Sequence, residues 1–400
     1  MIQLNDFDDV VVIAGTKQIK TIPENPFNQQ SIDFLAKLSS EIRKSKNLKE
    51  FSDLATFAFW CRKNNILSYK NKYSHFNYRI GKGLIFHISP SNVPLNFAYS
   101  FIFGLLSGNS NIIRVPSKNF QQLDILISHI KTILEDIKFK NLYSRTAFIK
   151  YSKSSNITDH ISAKCDVRLI WGGDETINEV RKSSLPTKSI DITFSDRYSF
   201  ALLNSDYFIN QSNADKEKLY ENFYNDTYLM DQNACSSPHI IFWTGKNKSK
   251  AKDIFWNGLN SFIVKKEYII EDIIAMEKHL ELCKKAIDLE GKFDFFKYDN
   301  NIYLLSLDTL PEQVDSLRGK CGFFYQYDLN NTHEISSFIN TKFQTLAYYG
   351  FDKDSLAKTI LDKNLMGVDR IVPIGRTLDI DLVWDGYDMI SCLGAEQWMH

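Results

Sequence analysis

One cysteine of this chain lies in a context that could support nucleophilic chemistry. Cys235 stands in the stretch DQNACSSPHII, residues 231–241, between a helical segment and an apolar, strand-like one. A thiolate attacks acyl groups readily and also leaves readily, so a cysteine here could carry a covalent intermediate. The competing interpretation is a small buried residue at the head of a strand, because free cysteine is among the most buried residue types. The surrounding elements must decide between the two.

The other cysteines suggest neither disulfides nor a metal site. They are Cys61, Cys165, Cys283, Cys321 and Cys392, and no C-x-x-C pair occurs. Cys235 and His239 have i,i+4 spacing, but Pro238 lies between them and no other Cys or His is near. We therefore expect reduced thiols and no bound metal.

The elements that must position Cys235 begin far upstream. Residues 83–116 contain a strand (GLIFHIS), a polar turn (PSNVP), a buried helix (LNFAYSFIFGLLSG) and a second strand (NIIRVP). Two prolines interrupt this run, so it offers no stretch of about 18 apolar residues that could span a membrane. The alternation continues through the helix FQQLDILISHIKTILEDI, the strands RTAFIKY and VRLIW, and the turn GGDE. It predicts a parallel sheet covered on both faces.

A second alternating series begins near residue 205 and includes IIFWTG, NIYLLSL, GFFYQYDL and FQTLAYYG. We predict an α/β protein with two Rossmann-like domains and the active site in the cleft between them. The cofactor-binding domain is assigned to residues 1–204 and the catalytic domain to 205–369, with 370–400 returning to the first domain or to a subunit interface. Ligands of parallel sheets bind beyond the carboxyl ends of the strands, so SPSNVP, PSKN and WGGDE are the loops of interest. Near the C-terminus, TLDIDLVWDG alternates as a half-buried strand would.

Composition excludes several classes of partner. The 400 residues include 48 Lys+Arg and 48 Asp+Glu, so the formal net charge is zero and no long-range field attracts nucleic acid or an anionic membrane. The start, MIQLNDFDDVVVIAG, has acidic residues where a signal peptide has basic ones. We expect a cytoplasmic protein that binds no nucleic acid and has no membrane span. No G-x-G-x-x-G follows a strand, and no P-loop or G-x-S-x-G motif occurs.

Six blocks in order resemble one family. They are SPSNVPLNFAYSFIFGLLSGNSNIIRVPSK, CDVRLIWGGDETI, DITFSDRYS, DQNACSSP, KFQTLAYYG and GVDRIVPIGRTLDIDLVWDGYD. Together they are similar to the LuxC-type acyl-CoA reductases, within the aldehyde dehydrogenase superfamily. The resemblance implies an aldehyde dehydrogenase-like fold and an NAD(P)H-dependent, aldehyde-forming acyl reductase.

The resemblance implies catalytic roles for two residues. Cys235 falls where the family has its nucleophile. Asn92, in the turn SPSNVP, matches the superfamily's oxyanion asparagine, whose side-chain amide would bind the developing negative charge together with the Cys235 backbone N–H. Ordinary turn chemistry before Pro94 would also account for Asn92.

It also implies a nicotinamide cofactor. Arg114, Ser117 and Lys118 follow the second strand, where the superfamily holds the adenosine ribose, and two cations with a hydroxyl suit a 2′-phosphate, so we favour NADPH, with NADH possible. A solvated strand end would explain the same residues. Gly172 and Gly173 match a loop that faces the cofactor. We also count Ser89 among the cofactor-binding residues. Gln344 stands where the superfamily has a ribose-binding glutamate.

The missing base is informative too. Hydrolytic aldehyde dehydrogenases have a glutamate some tens of residues before the cysteine, but this chain has no Glu between Glu179 and Glu217. Without a base to activate water, a Cys235 thioester should persist for reduction, unless Asp191 or Asp196 substitutes.

The leading hypothesis is therefore NADPH-dependent reduction of an acyl group, delivered by CoA or an acyl carrier, through an acyl-Cys235 thioester. Two alternatives remain open. One is a cysteine-dependent acyltransferase or thioesterase without redox chemistry, and the other is a non-catalytic subunit. We also expect a homo-oligomer and an acyl-activating or acyl-transferring partner enzyme.

Overall fold

The computed structural model describes residues 1–5, 7, 9–45, 48–74, 78–91, 93–152 and 154–396. The chain forms two compact units. Unit 1 comprises residues 1–195 and the described residues from Tyr387 onward, and unit 2 is Asp196–Gly386. The functional roles assigned to the two halves of the sequence stay predictions.

The helices begin and end as follows: α1 Gln29–Lys44, α2 Ser52–Trp60, α3 Lys63–Lys72, α4 Asn96–Leu106, α5 Gln121–Leu134, α6 Lys140–Tyr143, α7 Ile157–Ser162, α8 Asp174–Arg181, α9 Ser205–Ile209, α10 Asn213–Thr227, α11 Lys248–Lys265, α12 Asp272–Asp288, α13 Lys353–Asp362 and α14 Met389–Cys392. Short 3-10 helices cover Leu48–Glu50, Ile137–Phe139, Tyr228–Met230, Val314–Ser316 and Thr332–Ser337.

The strands are β1 Ile2–Gln3, β2 Val11–Gly15, β3 Gln18–Ile19, β4 Arg79–Gly81, β5 Leu84–Ile88, β6 Ser110–Arg114, β7 Thr146–Lys150, β8 Val167–Trp171, β9 Ile190–Phe194, β10 Tyr198–Asn204, β11 Pro238–Thr244, β12 Phe293–Tyr298, β13 Ile302–Leu307, β14 Phe323–Asp328, β15 Phe343–Tyr349, β16 Arg370–Pro373, β17 Val383–Trp384, β18 Tyr387–Asp388 and β19 Gly394–Glu396.

Unit 1 is built on a six-stranded sheet of order β2-β7-β6-β5-β8-β9. Strands β5 to β9 are parallel and β2 runs antiparallel to β7. The order of the parallel strands reverses direction between β5 and β8. In such sheets ligands bind at this switch point, outside the carboxyl ends of the strands. The strands predicted from GLIFHIS, NIIRVP, RTAFIKY and VRLIW are four of the six strands of this sheet, β5, β6, β7 and β8.

A polar contact fixes the apolar helix α4 against this sheet. His87 of β5 is fully buried, and its ring nitrogens hydrogen bond to Ser100 on α4 at 2.8 Å and to Asn111 on β6 at 3.0 Å. Burial lowers the pKa of His87 to about 4, so the ring is neutral at physiological pH. The indole N–H of Trp171 donates to the same Ser100 at 3.0 Å. The end of β8 is thereby tied to α4.

Unit 2 is built on a seven-stranded sheet of order β12-β13-β14-β11-β10-β15-β16. All neighbours are parallel except β12, which pairs antiparallel with β13 at the edge. Alternate residues of β10 enter different cores: Phe200 and Leu202 pack on one face, Ala201 and Leu203 on the other. Both faces are therefore covered, as continuous apolar strands such as IIFWTG predict. The predicted domain boundary at residue 204 falls at the end of β10, which pairs within this second sheet.

Two expectations about elements are wrong. The sequence of residues 29–70 predicts two helices joined at the charged segment RKSKNLKE, but the region forms three helices, α1 to α3. The predicted strand TLDIDLVWDG is a strand only at Val383–Trp384. Arg370 explains the second difference, because its guanidinium donates to the carbonyls of Thr377 at 3.0 Å and Asp379 at 2.7 Å, which a ladder would otherwise use.

No helix within the described ranges has the length and apolarity needed to cross a bilayer. The described residues also contain no cluster of three or more His, Cys, Asp or Glu side chains suited to a metal ion.

Candidate active site

Cys235 lies in a loop held by backbone and side-chain contacts. The loop follows the 3-10 helix Tyr228–Met230 and begins with Asp231 and Gln232 in the left-handed region, at φ 50° and 56°. The Gln232 side chain is buried and accepts from the backbone N–H groups of Gly322 at 2.7 Å and Phe323 at 3.1 Å. Pro238 then opens β11, a position where the missing N–H costs no ladder bond. Cys235 thus sits just before the amino end of β11.

The Cys235 thiol is free and partly exposed. Burial raises its pKa, and the backbone N–H of Arg197 opposes this by hydrogen bonding to the sulfur. The charges of Asp196 and Asp385 raise the pKa further, and that of Arg318 lowers it. The thiol is therefore not strongly activated, and a nucleophilic role requires proton transfer as the acyl group is taken up.

A buried hydrogen-bond chain runs from a carboxylate to the backbone of Cys235. Ser199 Oγ donates to the Cys235 carbonyl at 2.6 Å and accepts from the Thr345 N–H at 3.2 Å. The Thr345 hydroxyl donates to Gln344 Oε1 at 3.2 Å, and Gln344 Nε2 donates to Asp385 Oδ1 at 2.5 Å. All four of these side chains are buried, and the most exposed of them, Asp385, is 8% exposed. This hydrogen-bond chain holds the Cys235 carbonyl from β10, β15 and the loop at Asp385.

Asp385 is the titratable end of this chain. Its backbone is in the left-handed region, at φ 49°. Burial raises its pKa to about 6, while Arg197 and the hydrogen bond from Gln344 lower it. Asp385 consequently changes charge just below neutral pH, within electrostatic reach of the Cys235 thiol.

The two carboxylates considered as replacements for the missing base lie in different settings. Asp191 is engaged in unit 1, where its oxygens accept from Arg168 Nε at 2.7 Å and Nη2 at 2.9 Å. Asp196 lies in unit 2, pairs with Arg318 at 2.9 Å and contributes to the field at Cys235. Because Asp191 is committed to a buried ion pair, it is a poor base.

The predicted cofactor residues of unit 1 follow the carboxyl ends of its parallel strands. Ser89 follows β5, Arg114 ends β6, and Gly172 follows β8. The Ser89 hydroxyl oxygen is buried and has no hydrogen-bond partner among the described residues. Such an atom needs a partner, and a ligand could supply it. Asn92 lies outside the described residues.

Two of these residues carry positive charge. Arg114 is partly exposed and its guanidinium lies 4.4 Å from the ring centre of Tyr151. Lys118 is exposed with its Nζ 5.4 Å from the ring centre of Phe120, and Ser117 beside it is exposed. Within the described chain neither cation has an ion-pair partner, so both are free to meet an anion.

The glycine loop leaves room above the sheet edge. Gly173 is the N-cap of α8, and a Cβ added there would meet nothing within 4 Å. At Gly172 an added Cβ would lie 3.2 Å from the Thr176 side chain. The first turn of α8 carries Asp174 and Glu175, which suit the helix dipole but disfavour a phosphate bound tightly against them.

Sequence reasoning did not find Ser199 or Asp385. Asp385 lies in the quoted block ending WDGYD, but no spacing rule links it to Cys235. Ser199 ends the quoted block DITFSDRYS, within the segment that lacks a glutamate, and its pattern is that of an ordinary strand residue. Only the packing of β10 beside β11 and β15 reveals their connection.

The whole chain has the fold of the aldehyde dehydrogenases. Aldehyde dehydrogenase 21 from Physcomitrella patens matches with a TM-score of 0.66 at 10% identity, over 92% of this chain and 85% of that one. Glyceraldehyde-3-phosphate dehydrogenase GapN from Methanocaldococcus jannaschii, solved in complex with NADP, matches with a TM-score of 0.63 at 12% identity, over 92% and 88%. The predicted α/β fold is confirmed.

The sequence narrows this class to one family. The family model "Acyl-CoA reductase (LuxC)" matches residues 17–255, which is more than half of the chain, so the chain belongs to that family. Among its relatives are the long-chain acyl-protein thioester reductases of Vibrio harveyi, 22% identical over 311 residues, and Aliivibrio fischeri, 23% identical over 321 residues. The alignments cover 74% and 78% of this chain but only 59% and 62% of those proteins. The predicted resemblance is confirmed.

Proposed function

We propose that this protein reduces an activated acyl group to an aldehyde through an acyl thioester on Cys235. The observation that carries the proposal is a partly exposed cysteine whose peptide is fixed by a buried hydrogen-bond chain, in a member of the LuxC family. Relatives named long-chain acyl-protein thioester reductases support an acyl group presented as a thioester on a carrier or partner protein. CoA thioesters are the simpler donors to test.

The first half-reaction transfers the acyl group. Cys235 sulfur attacks the thioester carbonyl as its proton leaves, and the donor thiolate departs and takes up a proton. Asn92 and the Cys235 backbone N–H are proposed as the donors that hold the oxyanion. Ser199 holds the Cys235 carbonyl, which lies in the peptide after the Cys235 Cα, and thereby restrains the backbone that carries the thiol.

NADPH, when bound, supplies the hydride that converts the acyl thioester to the aldehyde level. Ser89, Arg114, Ser117, Lys118, Gly172 and Gly173 are proposed to hold it. The buried Ser89 hydroxyl, which has no hydrogen-bond partner among the described residues, and the open space at Gly173 fit a ligand at this edge. Two cations in the β6 loop favour the 2′-phosphate of NADPH over NADH. Reduction leaves a hemithioacetal on Cys235, whose oxygen re-forms the carbonyl as the carbon–sulfur bond breaks, so that the Cys235 thiolate leaves and the aldehyde is released.

The absence of a glutamate between Glu179 and Glu217 supports reduction over hydrolysis. The carboxylates that could replace it are already engaged: Asp191 pairs with Arg168, Asp196 pairs with Arg318, and Asp385 accepts from Gln344. We therefore expect little free acid when acyl donor and NADPH are both present.

The test is a panel of acyl-CoAs and acyl carrier proteins of graded chain length, scored by NADPH oxidation and by trapped aldehyde. Without NADPH, the acyl mass should appear on the Cys235 peptide. Cys235→Ala should abolish both signals, whereas Cys321→Ala, which removes another partly exposed thiol of unit 2, should leave them intact. Acyl transfer without NADPH oxidation would instead indicate an acyltransferase or thioesterase. Absence of both signals and of NADPH binding would indicate a non-catalytic subunit.

A further inference from the structure

Helix α12 of unit 2 carries a row of exposed apolar side chains, which we call the α12 seam. It consists of Ile273, Met276, Leu280, Cys283 and Ile287. The exposed fractions are 55%, 61%, 57% and 79% for Ile273, Met276, Leu280 and Ile287, and Cys283 is exposed as well. Single exposed apolar residues are ordinary, but a contiguous row along a whole helix marks an interaction surface.

The opposite face of α12 is firmly attached to its own unit. Lys278 is 4% exposed, and its Nζ donates to the carbonyls of Asn300 at 2.7 Å and Cys321 at 2.8 Å. Leu282 packs against the core of the sheet. Because these residues project from the other side of the helix, the α12 seam cannot be the face that the fold itself buries.

The spacing of the seam identifies the kind of partner it suits. The intervals are three, four, three and four residues, which is the a/d heptad pattern of a helix that packs along another helix. A second copy of this chain presents the same seam. An antiparallel, two-fold pairing of α12 with itself would bury both rows at once.

Two antiparallel registers bring four seam residues of each copy into contact, and charge distinguishes these two registers. In the first register, Met276 faces Ile287 of the second copy and Leu280 faces Cys283. Glu277 and Lys284 flank the seam, so each copy's Glu277 then lies opposite the other copy's Lys284. In the other register, Ile273 faces Cys283 and Glu277 meets Glu277 of the second copy. Only the first is electrostatically complementary.

Glu277 and Lys284 are free to make these contacts. The ion pairs of α12 within the described chain join Lys285 to Glu281 at 3.7 Å and to Asp288 at 3.4 Å, and both Glu277 and Lys284 are exposed. We propose that the α12 seam is a two-fold contact between two copies of this chain, with Glu277 of each copy paired to Lys284 of the other.

The contact is small, so a dimer held by this helix pair should be concentration-dependent. Sedimentation velocity of the full chain over a wide concentration range should show reversible dimers. Leu280→Glu should abolish them and, at dilutions where the wild type is also monomeric, should leave the melting temperature unchanged, since Leu280 contributes little to its own unit. Leu361→Glu, at a residue of α13 that is 73% exposed, is the matched control and should dimerise normally.

Charge reversal tests the register. Glu277→Lys or Lys284→Glu alone places like charges opposite each other twice and should weaken the dimer by about tenfold. Mixing the two variants, or combining both substitutions in one chain, restores opposite charges and should restore the affinity. A chain that is monomeric throughout, a dimer that survives Leu280→Glu, or one indifferent to the charge reversals would overturn the proposal. None of these outcomes depends on the proposed activity.

Discussion

At the scale of single residues, the decisive property is the electrostatic setting of the Cys235 thiol. Burial and the charges of Asp196 and Asp385 raise its pKa. Asp385→Asn keeps an oxygen that can accept from Gln344 but removes the negative charge, so the Cys235 pKa should fall. We expect alkylation of Cys235 by iodoacetamide near pH 8 to be severalfold faster than in the wild type. Below the Asp385 pKa of about 6 the two proteins should converge, because the wild-type carboxyl is then neutral. Equal rates at pH 8 would show that Asp385 does not act on the thiol.

Ser199 offers a second test at this scale. Ser199→Ala leaves the Cys235 carbonyl and the Thr345 N–H without their partner, and a buried unsatisfied group costs about 1–3 kcal/mol. We expect a lower melting temperature together with slower acyl loading of Cys235. Ser336→Ala, which removes an exposed hydroxyl bonded to the His333 carbonyl, is the control and should change neither. Loading at the wild-type rate in Ser199→Ala would mean that the hydrogen bond is structural only.

At the scale of elements, sequence patterns predicted secondary structure best for helices and strands whose residues are nearly all buried. The apolar runs of β5, α4 and β6 could be predicted because each is buried along nearly its whole length. TLDIDLVWDG misled because its alternation matches a strand, while its backbone carbonyls are taken by Arg370. Long-range partners of this kind leave no local pattern. Ser199 escaped prediction for the same reason, since its partner lies 36 positions away.

The loop after β16 depends on a buried carboxylate of α10, and this dependence has a pH signature. Asp226 accepts from the N–H groups of Gly375 at 2.6 Å and Thr377 at 3.0 Å, and burial raises its pKa to about 7. A raised pKa means that its contribution to stability is full below the ordinary value of 3.8 and is lost as pH rises through about 7. In Asp226→Asn this contribution is absent. The difference in melting temperature between wild type and variant should therefore be larger at pH 5 than at pH 8; a constant difference would contradict the assignment.

At the scale of the whole molecule, the two units place their candidate residues at different edges of their sheets. In unit 1, Ser89, Arg114 and Gly172 follow carboxyl ends of parallel strands, which the general rule for such sheets predicts from sequence. In unit 2, Cys235 precedes the amino end of β11. That rule would have directed attention away from it, and only the family resemblance singled it out. The candidate residues of unit 1 thus follow from a general rule about parallel sheets, whereas Cys235 follows from the family resemblance.

The same division allows the two half-reactions to be separated. Unit 2 is one continuous segment with its own seven-stranded sheet and cores on both faces, so residues 196–386 alone should fold cooperatively, as a thermal melt by circular dichroism would report. This fragment keeps Cys235, Ser199 and Asp385 but lacks Asn92 and the proposed cofactor residues. Losing one oxyanion donor costs about a hundredfold to a thousandfold in rate. We expect the fragment to acquire an acyl group on Cys235 that much more slowly than the full chain, and to consume no NADPH. The Cys235→Ala fragment should acquire none.

A fragment that binds NADPH as tightly as the full chain would place the cofactor residues in unit 2 and overturn the assignment of Ser89, Arg114 and the glycine loop.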